Sequence, residues 1–207
     1  MILDPRVVST PDIYRALISV VVPRPIAFVS TLGSDGRTNV SPFSFFNAIA
    51  SAPPLVGIAI LDRAGDPKDT LRNIRETREF VANLVSEPML DAMVRTSGDW
   101  PAGVSEFEVA GLTEAPSERV KPPSVAESPV HLECTLHQEI ALGTSFLLVG
   151  EVVMLRVRDD VVTDGRVDPM KLQAVGRLGG ELYSLMREVV KVSRPRVERS
   201  SANGAGA

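Results

Sequence analysis

The feature that most constrains this chain is the stretch at residues 24–60, RPIAFVSTLGSDGRTNVSPFSFFNAIASAPPLVGIAI. Residues 25–32 are apolar and β-branched enough to form a buried strand. A turn cluster, Gly33, Ser34, Asp35 and Gly36, follows, built from residues that tolerate positive φ. Residues 37–50 read as a second strand, and Pro53-Pro54 punctuates before a third at 55–61. The pattern is an antiparallel meander with Ser30, Thr31, Asn39, Ser41, Ser44 and Asn47 set among apolar side chains. Burying such hydroxyls and amides without partners costs roughly 1–3 kcal/mol each. Either neighbouring backbone satisfies them or a polar ligand lies across the strand ends.

Length and charge narrow the field. The 207 residues suit one domain with a sizeable core, and 44% hydrophobic residues is ordinary for a globular protein. The net charge of −4 comes from acids and bases scattered together, with no basic face to suggest nucleic acid. The longest apolar runs fall well short of a bilayer span, and the N-terminus has no signal-peptide pattern, so the expectation is a cytoplasmic protein without membrane contact. A single cysteine, Cys134, rules out an internal disulfide and reads as a core residue. With only His131 and His137 beside it, no metal site is expected, and both histidines read as structural.

The rest of the chain fills in around the meander. Residues 1–13 read as an N-terminal arm, with a short helix over 11–18 opened by Pro11. Asp66 as N-cap and Pro67 at the first helical position predict a second helix, KDTLRNI onward, with Leu71 and Ile74 on its inner face. Lys68 and Thr70 then fall in its first turn, where free N–H groups favour an anion; the plainer alternative is a solvated lysine at an ordinary helix start. A strand over 80–86 and a short helix over 87–97 follow. A long Gly/Pro-rich connection then carries Trp100, read as a partly buried packing residue, and a short element at 106–112. Residues 130–142 and 145–157 form paired strands about Gly143-Thr144, the second nearly continuous apolar and therefore central. A hairpin is expected around Asp164-Gly165 and a single helical turn near 169–173. In residues 176–183, GRLGGELY, glycines flank Arg177 ahead of Tyr183, which suits close approach to a planar or anionic ligand and equally a plain turn. The small polar tail, 196–207, is expected to be disordered. Together these elements describe a mainly β chain with short helices, a small antiparallel β-barrel with helical additions.

Seven segments in order carry a resemblance: RPIAFVST at 24–31, NVSPFSFFNA at 39–48, KDTLRNI at 68–74, EFVANLVS at 79–86, EFEVAGL at 106–112, AESPVHLEC at 126–134 and RLGGELY at 177–183. The chain resembles the flavin reductase-like family over residues 14–195. The resemblance implies a split β-barrel, a Greek-key-like antiparallel FMN-binding fold, and a homodimer with FMN at the subunit interface. It implies that Ser44 and Asn47 lie near the isoalloxazine and that Ser30 and Thr31 face the ribityl–phosphate end. Lys68 and Thr70 would hold the phosphate, and Arg177 and Tyr183 would close the site.

The activity implied is hydride transfer from NADH or NADPH to flavin N5, chemistry the cofactor carries. That makes the chain an NAD(P)H-dependent flavin reductase, an oxidoreductase for a small acceptor, or the reductase half paired with a monooxygenase partner. The alternative is a non-catalytic FMN-binding electron carrier. No GxGxxG fingerprint follows a strand, so a nicotinamide would bind transiently. No catalytic side chain is singled out.

Overall fold

A computed structural model describes residues 1–61, 68–98, 100, 101 and 104–195. Helix α1, Thr10–Val20, starts where the Ser9 hydroxyl accepts the Asp12 N–H and Pro11 occupies the first turn. It begins inside the expected arm, and none of its residues is buried. Strands β1, Arg24–Pro25, and β2, Ala27–Leu32, lead into the glycine turn, where Gly36 has φ 81°. Then come β3, Thr38–Phe43, β4, Phe46–Ser51, and β5, Pro54–Leu61.

Helix α2 is Asp69–Thr77, with Lys68 at its N-cap position. The expected caps Asp66 and Pro67 lie outside the described residues, as does the tail at 196–207. Strand β6, Glu79–Leu84, and a 3-10 turn, Glu87–Met89, precede helices α3, Leu90–Thr96, and α4, Glu106–Ala110. Short strands β7, Glu114–Ala115, and β8, Ser124–Val125, pair with each other. The long hairpin is β9, Val130–Leu142, with β10, Ser145–Val157, turning at Gly143-Thr144 as its sequence requires. A small hairpin, β11, Val162–Thr163, with β12, Arg166–Val167, leads to helix α5, Pro169–Leu172. Strands β13, Val175–Arg177, and β14, Tyr183–Leu185, complete a small sheet with β1.

The main sheet runs β3-β2-β6-β9-β10-β5-β4, every neighbouring pair antiparallel. Its two edge strands are consecutive in the chain. Only Ser44 and Phe45 separate Phe43, the last residue of β3, from Phe46, the first of β4. Three Cα steps reach at most about 11 Å. A flat seven-stranded sheet holds its edges nearly three times farther apart at about 4.8 Å per strand spacing. The sheet therefore curls to bring its edges together at a seam, and the Ala59 N–H, donating to the Phe45 carbonyl at 2.8 Å, carries the β4–β5 pairing into the corner. This overturns the single strand expected over 37–50: one strand cannot serve both edges, so it breaks at Ser44-Phe45.

Strand β2 is buried on both faces. Ala27 and Val29 enter the barrel interior with Phe43, Ile58, Ile60, Leu71, Ile74, Phe80, Cys134 and Leu148. Ile26 and Phe28 face an outer layer where α3 and α4 contribute Met93 and Phe107. Gly150 lies in the wall of β10 because a Cβ there would collide with the Phe80 ring. Trp100 is 44% exposed, with Nε1 donating to the Arg95 carbonyl at 3.0 Å, so it caps the end of α3 instead of packing inside.

The connection between α4 and β9 is long yet anchored to the barrel by side-chain hydrogen bonds. Ser30 donates to the Pro123 carbonyl, Asn83 accepts the Val125 N–H at 2.9 Å, and Ser128 donates to the Leu84 carbonyl at 2.8 Å. The strongest tie is Glu133, fully buried, whose carboxylate accepts the Glu118 and Arg119 N–H groups and lies 3.2 Å from Arg156 Nε. Breaking a buried pair by removing one partner costs about 3–5 kcal/mol. Arg156 keeps 28% of its side chain exposed and can rehydrate, which favours the lower end. We expect Glu133→Ala to lose about 3 kcal/mol in urea unfolding and to speed proteolysis within 116–123; unfolding at the wild-type midpoint would show that Glu133 is not the anchor.

Candidate functional site

The seam opens on a cavity of about 500 Å³. Phe43, Ser44 and Phe45 come from the seam itself, and Ala59 and Leu61 from β5, whose alternate residues Ile58 and Ile60 point into the core. Lys68 comes from the start of α2, Thr144 from the β9–β10 turn, and Tyr14 from α1. Lys68 Nζ lies 5.3 Å from the centre of the Phe43 ring, which places a cation at an aromatic wall. An aromatic slot with a cationic flank and the hydroxyl-bearing residues Ser44, Thr144 and Tyr14 suits a planar, anionic ligand, and the size is within the usual range for small-molecule sites.

Behind this wall lies Arg24, 6% exposed. Its Nε donates to Ser44 Oγ at 3.4 Å, and its guanidinium carbon is 5.9 Å from the Phe45 ring centre. Strand β1 pairs Arg24 with Arg177 on β13. Arg177 in turn donates to the Tyr183 hydroxyl and the Gly180 carbonyl and stacks over the Tyr183 ring at 4.5 Å. Arg177 and Tyr183 are thus brought together, one wall removed from the cavity. Among the described residues, neither Arg24 nor Arg177 has a carboxylate partner. Burial, followed by the neighbouring Arg177 charge, holds the Arg24 pKa below its ordinary value.

The remaining candidates divide. Ser30 and Thr31 are fully buried, and Thr70 is 1% exposed. Ser30 is occupied by Pro123 and Asn83. Thr31 accepts from Asn73 Nδ2 at 3.0 Å, and Thr70 donates to Asn39 Oδ1 at 2.8 Å. These hydroxyls face protein and do not line the cavity. Asn47 is exposed on edge strand β4, in a row with Ala48, Ile49 and Ala50. The structure thus gathers Ser44 and Lys68 in the cavity, with Thr70 directly behind Lys68. Sequence reasoning missed Tyr14, Phe43, Phe45 and Arg24. One signal was available: three of the chain's seven phenylalanines fall within residues 43–46.

The Thr31–Asn39–Thr70–Asn73 network continues to a second, polar hollow of about 430 Å³ between the glycine turn, α2 and α4. Asn39 Nδ2 donates to both Glu106 carboxylate oxygens at 3.0 Å. Burial nonetheless pushes the Glu106 pKa above its ordinary 4.5, outweighing the hydrogen bonds that lower it. His131 shifts down through burial, with Nε2 2.9 Å from the Val125 carbonyl, a structural placement. Buried Cys134 is pushed up and is inert at neutral pH. Among the described residues, no cluster of three or more His, Cys, Asp or Glu could hold a metal, and no helix is long and apolar enough to cross a membrane.

Residues 19–171 match the flavin reductase like domain. An uncharacterised protein of Halalkalibacterium halodurans is 42% identical over 97% of this chain and 99% of its own length. Among solved structures, nitrilotriacetate monooxygenase component B from Bacillus cereus superposes with a TM-score of 0.90 at 33% identity, covering 93% of this chain and 98% of that one. The 2-nitrobenzoate 2-nitroreductase of Pseudomonas fluorescens gives 0.87 at 32%, covering 97% and 100%.

Because the folded-state pKa of Glu106 is raised, the folded protein holds its proton more tightly than the unfolded chain, and that contribution disappears as pH rises above the ordinary value of 4.5. Carboxylates shifted down, Asp35 and Glu139 among them, act in the opposite sense and only below their ordinary values. We expect the difference in unfolding free energy between wild type and Glu106→Gln to move in the variant's favour as pH is raised from about 4.5 to 7. A pH-independent difference would mean that Glu106 is not desolvated.

Proposed function

The chain belongs to the flavin reductase-like family, and from that premise we propose that it is an FMN-binding oxidoreductase which draws hydride from NADH or NADPH. The observation that carries the reading is the seam cavity, where an aromatic slot meets the Lys68 ammonium. When bound, FMN supplies a hydride-accepting centre that no side chain of this protein offers. The protein's part is to bind, orient and exclude water. Phe43, Phe45 and Tyr14 provide apolar surface for a planar ring system, and the Ser44 hydroxyl provides a hydrogen bond at its edge. Lys68 meets the phosphate. Thr70 and Thr31 act from behind, since their bonds to Asn39 and Asn73 fix the start of the helix that presents Lys68. Arg177, stacked on Tyr183, adds positive charge from behind the far wall.

Two similarities support finer versions of the same reading. Likeness to a monooxygenase component B supports a reductase that hands reduced flavin to a monooxygenase. Likeness to a nitroreductase supports direct electron delivery to a small acceptor. A second copy of the chain completes the molecule in this proposal. Edge strand β4 presents unpaired backbone and the exposed row of Asn47, Ala48, Ile49 and Ala50, and an apolar edge of this kind calls for cover. Asn47 is then placed at the dimer face.

Three outcomes are expected. The purified protein binds FMN, and NADH or NADPH bleaches the flavin absorbance without oxygen; flavin that stays oxidised with both donors would instead leave an electron carrier. Lys68→Ala weakens FMN binding by about 1–3 kcal/mol in a fluorescence titration, more at low salt than at high. Light scattering coupled to gel filtration gives about twice the 22.3 kDa chain mass, and the chain mass alone would remove the second copy from the site.

A further inference from the structure

Resting on the flavin reading above, we infer that Arg24 is a positioning residue: its buried guanidinium binds the seam, the end of α1 and the glycine segment into one cavity wall. Arg24 does not line the cavity, yet it meets three segments that shape it. Toward the seam it donates to Ser44 Oγ at 3.4 Å and lies over Phe45. Toward α1, Nη1 donates to the Ile18 carbonyl at 2.6 Å and the Val21 carbonyl at 2.7 Å. Toward the glycine segment, Nη2 donates to the Leu178 carbonyl at 2.8 Å.

These contacts use the planar fork of a guanidinium in several directions at once, and a lysine ammonium cannot reproduce them. They matter most for α1. The helix carries Tyr14 to the cavity although none of its residues is buried, so it has little apolar packing to hold it. Its C-terminal carbonyls, the negative end of the helix, are where a fixed cation binds best. The second hold is close backbone approach. A Cβ on Gly179 would lie 2.8 Å from Ser19 Oγ, so the glycine lets the segment touch the last turn of α1. Arg24 therefore sets Ser44, Phe45 and Tyr14 together without touching the ligand.

The experiment is an FMN titration, followed by flavin fluorescence, on the full chain, on the single variants at Arg24, Ser44, Lys68 and Gly179, and on two double variants. Arg24→Ala is expected to weaken FMN at least tenfold, with millimolar methylguanidinium restoring most of the loss and methylammonium restoring none. Arg24→Lys should behave like Arg24→Ala. Adding Ser44→Ala to Arg24→Ala should cost no more than Arg24→Ala alone, whereas adding Lys68→Ala should multiply by its full separate factor. A role confined to stability would not produce that contrast. Gly179→Val displaces α1 with Arg24 intact and should weaken FMN by a similar factor; it decides the matter should Arg24→Ala not fold. Wild-type affinity in Arg24→Lys and Gly179→Val, or Arg24 and Ser44 effects that multiply, would overturn the positioning role alone. A wild-type chain with no FMN affinity would overturn the flavin reading and this inference with it.

Discussion

The rest of the structure depends on the need to close a seven-stranded sheet through two residues. Strands β3 and β4 are neighbours in sequence and opposite edges in the sheet, so the barrel cannot open without stretching the Ser44-Phe45 link beyond its reach. The corner is short, so its side chains cannot all turn inward. Phe43 joins the core, Phe45 stays partly exposed, and Ser44 lies between them against Arg24. A place where a sheet closes on itself is also where regular backbone pairing ends. The cavity lies at this discontinuity because the wall has no strand there to fill it.

The polar groups in the strands serve two separate ends. One set is structural: Ser30 and Asn83 hold the long connection, while Thr31, Asn39, Thr70 and Asn73 tie the start of α2 to the barrel. Their hydroxyls and amides are paired inside protein, where an unpaired group would be costly. The other set, Ser44 with Lys68, faces the cavity. Most partners in the first set are other side chains, so the strands need less neighbouring backbone to satisfy them than their composition implies. Side-chain hydrogen bonds in the first set fix where Lys68 stands in the second.

Much of the architecture was legible in the sequence because its signals are local. Gly143-Thr144 between two alternating runs gives the β9–β10 hairpin, and Leu71 with Ile74 gives the buried face of α2. The single strand over 37–50 failed because no local propensity marks the corner: Ser44-Phe45 lies within a run of strand-forming residues, and sheet closure alone breaks it. The resemblance to a known family named Lys68 and Ser44, which do line one cavity. It could not separate Thr70, turned toward Asn39, from Lys68 two residues earlier, since side-chain direction at a helix start follows from packing. Arg24 was hidden for a related reason. Its partners are backbone carbonyls from distant segments, and carbonyls carry no sequence signature.

Charge makes the same point about scale. The chain is acidic overall, at −4, which alone would discourage an anionic ligand. Among the described residues, however, many of the acids are placed elsewhere. Asp35, Asp69, Glu76, Glu106, Glu108 and Glu114 gather around the polar hollow at the glycine turn. Arg37 and Arg72 are neutralised there by Asp35 and Asp69. At the seam, Arg24 and Arg177 face carbonyls, hydroxyls and aromatic rings, none of which cancels a charge. Fields from uncompensated cations in a low-dielectric wall reach farther than those of surface ion pairs. A protein of net negative charge thus keeps two neighbouring guanidiniums, without carboxylate partners among the described residues, behind the seam cavity.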